Sequence, residues 1–278
     1  MMYAQLQFGA NFYSIDIPNG WDQLTPEQFE AVNYIKCTST DKRLMVFEVL
    51  MALLPLTRAH LSGLVLHLLQ IKQWRAAFNM ALLYVFFDKR KLWQFFATDD
   101  VIDALPAIDW LFDNKQNKFT SAIPKLKHKG INYNGPRTLL SGVTWQQMKL
   151  ADTIIQRFVD TKNEALLNDL AAVLYVQEGY QLNVEDESVP ERIKLFTNLR
   201  APLKYAIYTN YVLLRDAFYQ QFELPTAEIA LEGRPDWEAV TLSVAENGSL
   251  GPYQDVEKTP ARTVLKYFEK KHKETKNK

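Results

Sequence analysis

The stretch SGVTWQQM, residues 141–148, has the composition of a helix start. Thr144 is a good N-cap, because its hydroxyl can accept a hydrogen bond from an otherwise unpaired amide of the first turn. Gln147, three residues later, can accept a bond from the Thr144 amide in return, which completes a capping box. Val143 and Met148 flank the cap at the spacing of a hydrophobic staple. We therefore expect a helix that begins directly after Thr144.

An earlier stretch, GWDQLTPEQF at residues 20–29, begins a helix in nearly the same way. Thr25 is its N-cap, Gln28 closes its capping box, and apolar residues again flank the cap. Pro26 fits the first helical position, where a missing N–H is tolerated, and Trp145 stands at that place in the later stretch. The two caps are 119 residues apart.

Each helix start follows a predicted β-hairpin. Residues 3–8 and 12–17 read as short strands on either side of Gly9-Ala10-Asn11. The segment KLKHKGINYNGP, residues 125–136, reads as a second hairpin with Lys129-Gly130 at its turn. Both halves of the chain therefore have a hairpin followed by a helix start.

Two further pairs of segments keep the same order. LNDLAAVLYV at 167–176 aligns with FEVLMALLPL at 47–56, 120 residues earlier, and residues 200–222 faintly match residues 75–96 at a distance of 125. Four pieces in one order at a nearly constant distance favour an internal duplication. The alternative is that well-formed helix starts converge on one pattern.

The sequence thus predicts a mainly α fold with two related helical units, each preceded by a short β-hairpin, plus a C-terminal helical extension. We place unit one at residues 1–118, unit two at 119–223, and the extension with its basic tail at 224–278. Residues 183–191, NVEDESVPE, read as an acidic loop within unit two. In the extension, one helix is expected to end at Asn247-Gly248 and the last to begin at Thr259-Pro260.

Composition restricts the class of protein. Hydrophobic residues make up 47% and charged residues 23% of the 278 residues, which is enough for a packed core. The 32 basic and 32 acidic residues balance, which argues against a nucleic-acid binder. Cys37 is the single cysteine, as expected in a reducing compartment.

The apolar segments are short. Residues 44–56 and 61–71 fall below the roughly 20 residues that a membrane-spanning helix needs. The first residues lack the basic and apolar regions of a secretory signal. We therefore expect a cytoplasmic protein without membrane contact.

One aspartate cluster matches an enzyme motif. Asp99, Asp100 and Asp103 form the DDxxD pattern with which helical isoprenoid synthases hold Mg²⁺ and a diphosphate. The partner motif of those enzymes is missing, because residues 168–176 have apolar side chains where ligands belong. Acidic residues at a helix start are also common, since they interact favourably with the helix dipole. We favour this structural interpretation over an Mg²⁺-dependent prenyl-diphosphate enzyme.

Other patterns of catalytic residues are weak. His60 and His67 are seven residues apart but have no HExxH-like spacing, which favours packing over metal binding. Cys37 has no histidine near it in sequence, and no glycine-rich phosphate loop is present. We expect no catalytic residue, no metal and no cofactor.

Two basic segments and one aromatic stripe are possible contact surfaces. Residues 113–137 carry a net charge of +5 and residues 266–278 a net charge of +4. Such segments are usually solvated linkers and ends, although either could bind phosphates or an acidic partner. An aromatic and apolar stripe has helical spacing and favours a core or a helix-binding face: Trp74, Phe78, Leu82 and Val85.

Four segments carry a resemblance to a known family: residues 17–32, 135–155, 166–176 and 236–271. Together they resemble proteins of tailed phages and prophages of Bacteroidota, which are encoded among virion-assembly genes. The Trp-x-x-Leu-Thr helix start also resembles tail assembly chaperones, helical non-virion proteins that hold the tape-measure protein.

The resemblance implies a non-catalytic protein-binding factor in phage tail or virion assembly, located in the cytoplasm of the bacterial host cell. Phage structural proteins, including the tape-measure protein, would be its partners. A structural virion component of the tail or connector is the close alternative. Two alternatives come from other classes: the prenyl-diphosphate enzyme, and a nucleic-acid-associated factor that uses the lysines of residues 113–137.

Overall fold

The computed structural model describes residues 2–8, 11–18, 20–40, 42–53, 110–111, 119–178, 188–222, 230–231 and 234–276. The chain divides into two compact units, Met1–Asn114 and Lys115–Lys278, which are called the first and second unit below. The described residues are mainly helical with small antiparallel sheets, which confirms the predicted fold class. The predicted boundaries at 118 and 223 stay predictions.

The first unit begins with a hairpin. Strand β1 (Met2–Phe8) pairs antiparallel with β2 (Asn11–Ile17), and this confirms the strands expected at 3–8 and 12–17. A 3-10 turn at Trp21–Gln23 leads into α1 (Pro26–Thr38), and α2 (Lys42–Leu53) follows.

The second unit also begins with a hairpin. Strand β3 (Lys125–His128) pairs with β4 (Ile131–Asn134), as predicted. Lys129 and Gly130 both have positive φ, 49° and 80°, which is the two-residue turn whose twist matches that of the strands. A third strand, β5 (Val176–Gln177), adds to β4, and the sequence pattern did not predict it.

Beyond this sheet, the described residues of the second unit include several helices and a short two-stranded ribbon, β6 (Ala230–Leu231) with β7 (Arg234–Pro235). Its helices are α3 (Trp145–Thr161), α4 (Leu166–Leu174), α5 (Ser188–Phe196), α6 (Ala201–Tyr219), α7 (Trp237–Glu246), α8 (Tyr253–Lys258) and α9 (Ala261–Lys276). Its core contains large side chains with almost no exposure: Trp145, Tyr175, Phe196, Tyr211 and Phe218.

The acidic segment 183–191 was predicted as a loop, and its last part is helical instead. Helix α5 begins at Ser188, so Pro190 and Glu191 lie in its first turn. Proline needs no amide partner there, and an acidic side chain interacts favourably with the positive end of the helix dipole. Residues that look like loop formers are therefore suited to this helix start.

Both predicted capping boxes are present. The Thr25 hydroxyl accepts from the Gln28 amide at 3.2 Å, and the Gln28 side chain accepts from the Thr25 amide at 3.0 Å. Thr144 and Gln147 make the same two bonds at the same distances. The positions at which α1 and α3 begin were therefore predicted correctly.

The C-terminal helices pack onto the start of α3. The Trp145 amide donates to the Thr259 carbonyl at 2.8 Å, and the Ala261 amide donates to the Val143 carbonyl at 3.0 Å. Helix α7 ends before Asn247, with φ of +69° at Gly248, and this confirms the predicted stop. The C-terminal helices thus belong to the second unit rather than to a separate body.

Candidate functional site

A partly buried carboxylate joins three helices of the second unit. The Asp152 side chain, on α3, lies within hydrogen-bond distance of four donors: Tyr211 Oη at 3.1 Å, Arg215 Nη1 at 3.4 Å, Tyr219 Oη at 2.7 Å and Trp237 Nε1 at 2.9 Å. Asp152 is 15% exposed and Arg215 23%. We call these five residues the Asp152 cluster.

The Asp152 cluster follows from helical geometry. Tyr211, Arg215 and Tyr219 are spaced by four residues, so they lie on one face of α6. Trp237 is the first residue of α7, and its ring packs against Tyr219 with a centroid distance of 5.5 Å. Burial, followed by the nearby Asp152 charge, raises the pKa of Tyr219, which keeps its proton on the hydroxyl as a donor.

A partly buried ammonium group lies about one turn earlier on α3. Lys149 Nζ is 2.5 Å from Glu257 Oε1, 2.8 Å from Glu238 Oε2 and 3.1 Å from Tyr253 Oη. Tyr253 Oη also donates to Glu238 Oε1 at 2.6 Å. These four residues form the Lys149 cluster, which connects α3 to α7 and α8.

Electrostatics strengthen the Lys149 cluster. Burial alone would lower the pKa of Lys149, but its bonds to Glu238 and Glu257 outweigh that effect and raise it. The hydrogen bond from Lys149 in turn lowers the pKa of Glu238. Burial, then the bond to Glu238, raises the pKa of Tyr253 to about 12. At neutral pH the cluster therefore holds charged partners that stabilise one another.

A third contact between α3 and α7 involves only uncharged side chains. Trp145 Nε1 donates to Thr241 Oγ1 at 2.7 Å, and that hydroxyl donates to the Trp237 carbonyl at 2.7 Å. The two indole rings meet edge to face at 5.4 Å. With the Asp152 and Lys149 clusters, this contact fixes the C-terminal helices on α3.

In the first unit, one lysine lies in an unusual setting. Lys36, in the last turn of α1, has its ammonium 4.8 Å from the Trp21 ring centroid and donates to the Leu111 carbonyl at 2.5 Å. Burial lowers its pKa to about 8, with Cys37 opposing the shift. Cys37 itself is exposed. This lysine ties residues 110–111 to α1.

Several predicted sites lie outside the described residues. These are the DDxxD aspartates at 99–103, the histidines His60 and His67, and the aromatic stripe from Trp74 to Val85. The prenyl-diphosphate hypothesis therefore stays a prediction. Across the residues that the structure does describe, no group of three or more His, Cys, Asp or Glu side chains is placed to hold a metal ion.

The two basic segments differ in structure. Within 113–137, Lys125, Lys127 and Lys129 are exposed on the β3–β4 hairpin. The tail segment is mostly helix α9, where Lys273 pairs with Glu269 at 2.9 Å and Lys271 with Glu274 at 3.2 Å. Exposed pairs of this kind contribute little to stability. Helix formation thus brings both glutamates of the tail beside lysines, while its net charge stays at +4.

Comparisons with known proteins do not identify a family for this chain. No protein-family model matches the chain, and neither a curated protein nor a solved structure matches it. In the part of the chain that the structure describes, no helix combines the length and the apolar character needed to cross a membrane.

Sequence reasoning missed the Asp152 and Lys149 clusters. The available signal was the spacing of Lys149 and Asp152, three residues apart beside the buried Met148 and Ala151. Polar residues at that spacing share one side of a helix. The partners of these residues are 59 to 108 residues further along the chain, and no local pattern indicates them.

Proposed function

We propose that the chain is a non-catalytic protein-binding factor that acts in phage tail or virion assembly, in the manner of a tail assembly chaperone. This proposal rests on the resemblance described above and on how the second unit uses the polar groups of the Asp152 and Lys149 clusters. Phage structural proteins, among them the tape-measure protein, are the proposed partners, and the host cytoplasm is the proposed location.

The observation that carries the proposal is the saturation of the two clusters. The Asp152 carboxylate has four donors around it, and the Lys149 ammonium has two carboxylates and a phenol. Groups engaged in this way hold helices together and have little capacity left for a substrate. They are suited to a rigid helical body that presents a fixed surface.

The proposed mechanism is the covering of an apolar amphipathic helix of the partner. Binding would gain roughly 25 cal/mol per Å² of apolar surface buried, less the cost of ordering both chains. Exposed apolar side chains on the second unit offer contact points: Val159 at 41%, Leu195 at 40% and Leu242 at 49% exposure.

A tagged pull-down from producing cells tests the proposal, with co-purifying proteins identified by mass spectrometry and purified particles probed for this chain. A long helical phage protein in the pull-down, with none of this chain in particles, is the expected result. Presence in particles at a fixed ratio would instead make the chain a structural tail or connector component. Absence of phage proteins from both samples would contradict the proposal and turn attention to diphosphate and nucleic-acid binding.

Matched variants locate the surface. Leu242→Glu places a charge on an exposed apolar position of α7, and Ser243→Glu places the same charge on the next, polar position. If Leu242→Glu abolishes capture of the partner and Ser243→Glu does not, the binding surface includes the face of α7 that carries Leu242. Equal capture by both variants would exclude Leu242 from the binding surface.

A further inference from the structure

We infer that residues 5–53 and 125–173 are two copies of one structural module, a hairpin followed by two helices tied together by a glutamine. The inference goes beyond the proposed function and does not depend on it. It rests on three equivalences, each at a distance of 119 or 120 residues along the chain.

The hairpins are equivalent in register. Leu6 pairs with Tyr13 across β1 and β2, and Leu126 pairs with Tyr133 across β3 and β4. Each member of the second pair lies 120 residues after its counterpart, and each pair lies two positions from the last pair of its hairpin, Phe8 with Asn11 or His128 with Ile131. A shift of one residue would move every side chain to the other face, so a shared register is a specific feature.

The helix starts are equivalent in their hydrogen bonds. Thr25 with Gln28, and Thr144 with Gln147, form capping boxes 119 residues apart with matching distances. This equivalence alone is weak, because a capping box is a local solution that unrelated helices share.

The glutamines also make an equivalent long-range bond. Gln28 Nε2 donates to the Leu53 carbonyl at 2.9 Å, and Gln147 Nε2 donates to the Val173 carbonyl at 2.9 Å. The two acceptors are 120 residues apart. They lie in the last turns of α2 and α4.

Convergence does not explain this second bond. A capping box requires only a threonine and a glutamine three residues apart, whereas the bond to Leu53 or Val173 also requires the next helix to end beside that glutamine. The same side chain thus caps the start of one helix and the end of the following one in both units. A common packing arrangement of two helices accounts for both observations.

The inference predicts the same response in both copies. In the full chain, Gln28→Glu and Gln147→Glu keep an oxygen for the capping box but replace the donor to the carbonyl with a charge. We expect amide exchange, followed by mass spectrometry, to become roughly five- to tenfold faster in peptides at the end of α2 and of α4 respectively. Exchange in the other unit is expected to stay unchanged.

Gln146→Glu is the matched control, because Glu27 already occupies the equivalent position of the first copy. It puts a carboxylate one residue from Gln147 without removing the long-range donor, and exchange at the end of α4 should match that of the wild type. A response at α4 without one at α2 would overturn the inference. So would an experimental structure in which the backbones of residues 5–53 and 125–173 do not superimpose.

Discussion

The Asp152 carboxylate is the acceptor on which Tyr219 and Trp237 both depend. We predict that Asp152→Ala lowers the free energy of unfolding by roughly 3 to 5 kcal/mol, because it leaves the Tyr219 and Trp237 donors without their acceptor and Arg215 with Asp216 as its remaining carboxylate. Urea denaturation measures the loss. Asp160→Asn, on the exposed side of the same helix, should change the stability by about 0.5 kcal/mol or less. Equal stability of the two variants would mean that the Asp152 cluster contributes nothing net.

Lys36 gives the first unit a predictable pH dependence. Its pKa is about 8 in the folded chain, against 10.5 for an exposed lysine. Between these values the unfolded chain binds more protons, so stability should rise with pH, by about 3 kcal/mol in total. Lys36→Met should be more stable than the wild type at pH 7.5, and this difference should shrink towards pH 10. Urea denaturation at both pH values measures this difference in stability. Lys127→Met, at an exposed lysine, is the control. A difference that stays constant between the two pH values would contradict the prediction.

The role of a residue could be predicted from the sequence where its hydrogen bonds are local. Thr25, Gln28, Thr144 and Gln147 were predicted to cap their helices, because those bonds span three residues. The role of Asp152 could not be predicted, since its donors become neighbours only after α6 and α7 pack on α3.

At the scale of elements, Gly135 joins the hairpin of the second unit to its helical core. A Cβ there would lie 2.3 Å from Tyr175 Cε1, and Tyr175 is fully buried with its hydroxyl bound to the Ile123 carbonyl. We predict that Gly135→Ala costs roughly 2 kcal/mol or more, because the ring cannot move away without loss of packing. Thermal unfolding checks this. Gly142→Ala, at φ +84° with open space around it, should cost only about 1 kcal/mol.

The Lys149 cluster should be sensitive to one of its carboxylates more than to the other. Glu257 is 11% exposed and Glu238 56%. We therefore predict a loss of about 2 to 4 kcal/mol for Glu257→Gln, because it leaves the partly buried Lys149 without its nearest partner. Glu238→Gln should cost about 1 kcal/mol or less. Resistance of the C-terminal helices to limited proteolysis should follow the same order, and the reverse order would contradict this account.

Elements with strong local signals were predicted well. Both hairpins, the starts of α1 and α3 and the end of α7 agree with the structure. Strand β5 was missed because two residues are too few for a period-two pattern, and it exists only by pairing with β4. The start of α5 was missed because its acidic residues and proline also suit a loop.

For the whole molecule, the division after Asn114 predicts an independent second unit. We expect a fragment of residues 115–278 to show helical circular dichroism and a cooperative urea transition. A fragment of residues 115–223 should be less stable, because it removes Thr241 from Trp145 and Trp237 from Asp152. Equal stability of the two fragments would mean that the C-terminal helices are an accessory rather than part of the fold.

The sequence pattern predicted that the chain is mainly helical, but it did not predict where residues 224–278 pack. Residues 224–278 read as an extension because they follow the repeated segments. The contacts that bind them to α3 involve one backbone bridge at Thr144 and Pro260 and side chains from three helices. Such contacts depend on the folded arrangement, and no local pattern in the sequence indicates their partners.

Pro26 has a consequence for how the chain avoids folding errors. Residues 259–261 leave the ribosome late, when both look-alike helix starts have already been synthesised. Docking on α3 uses the backbone amide of Trp145, and Pro26 at the matching place in α1 has no such amide to offer. Misassembly between similar segments is a characteristic failure of repeated sequences. Pro26 therefore has two effects. It suits the first position of α1, and it disfavours docking of residues 259–261 on α1 instead of α3.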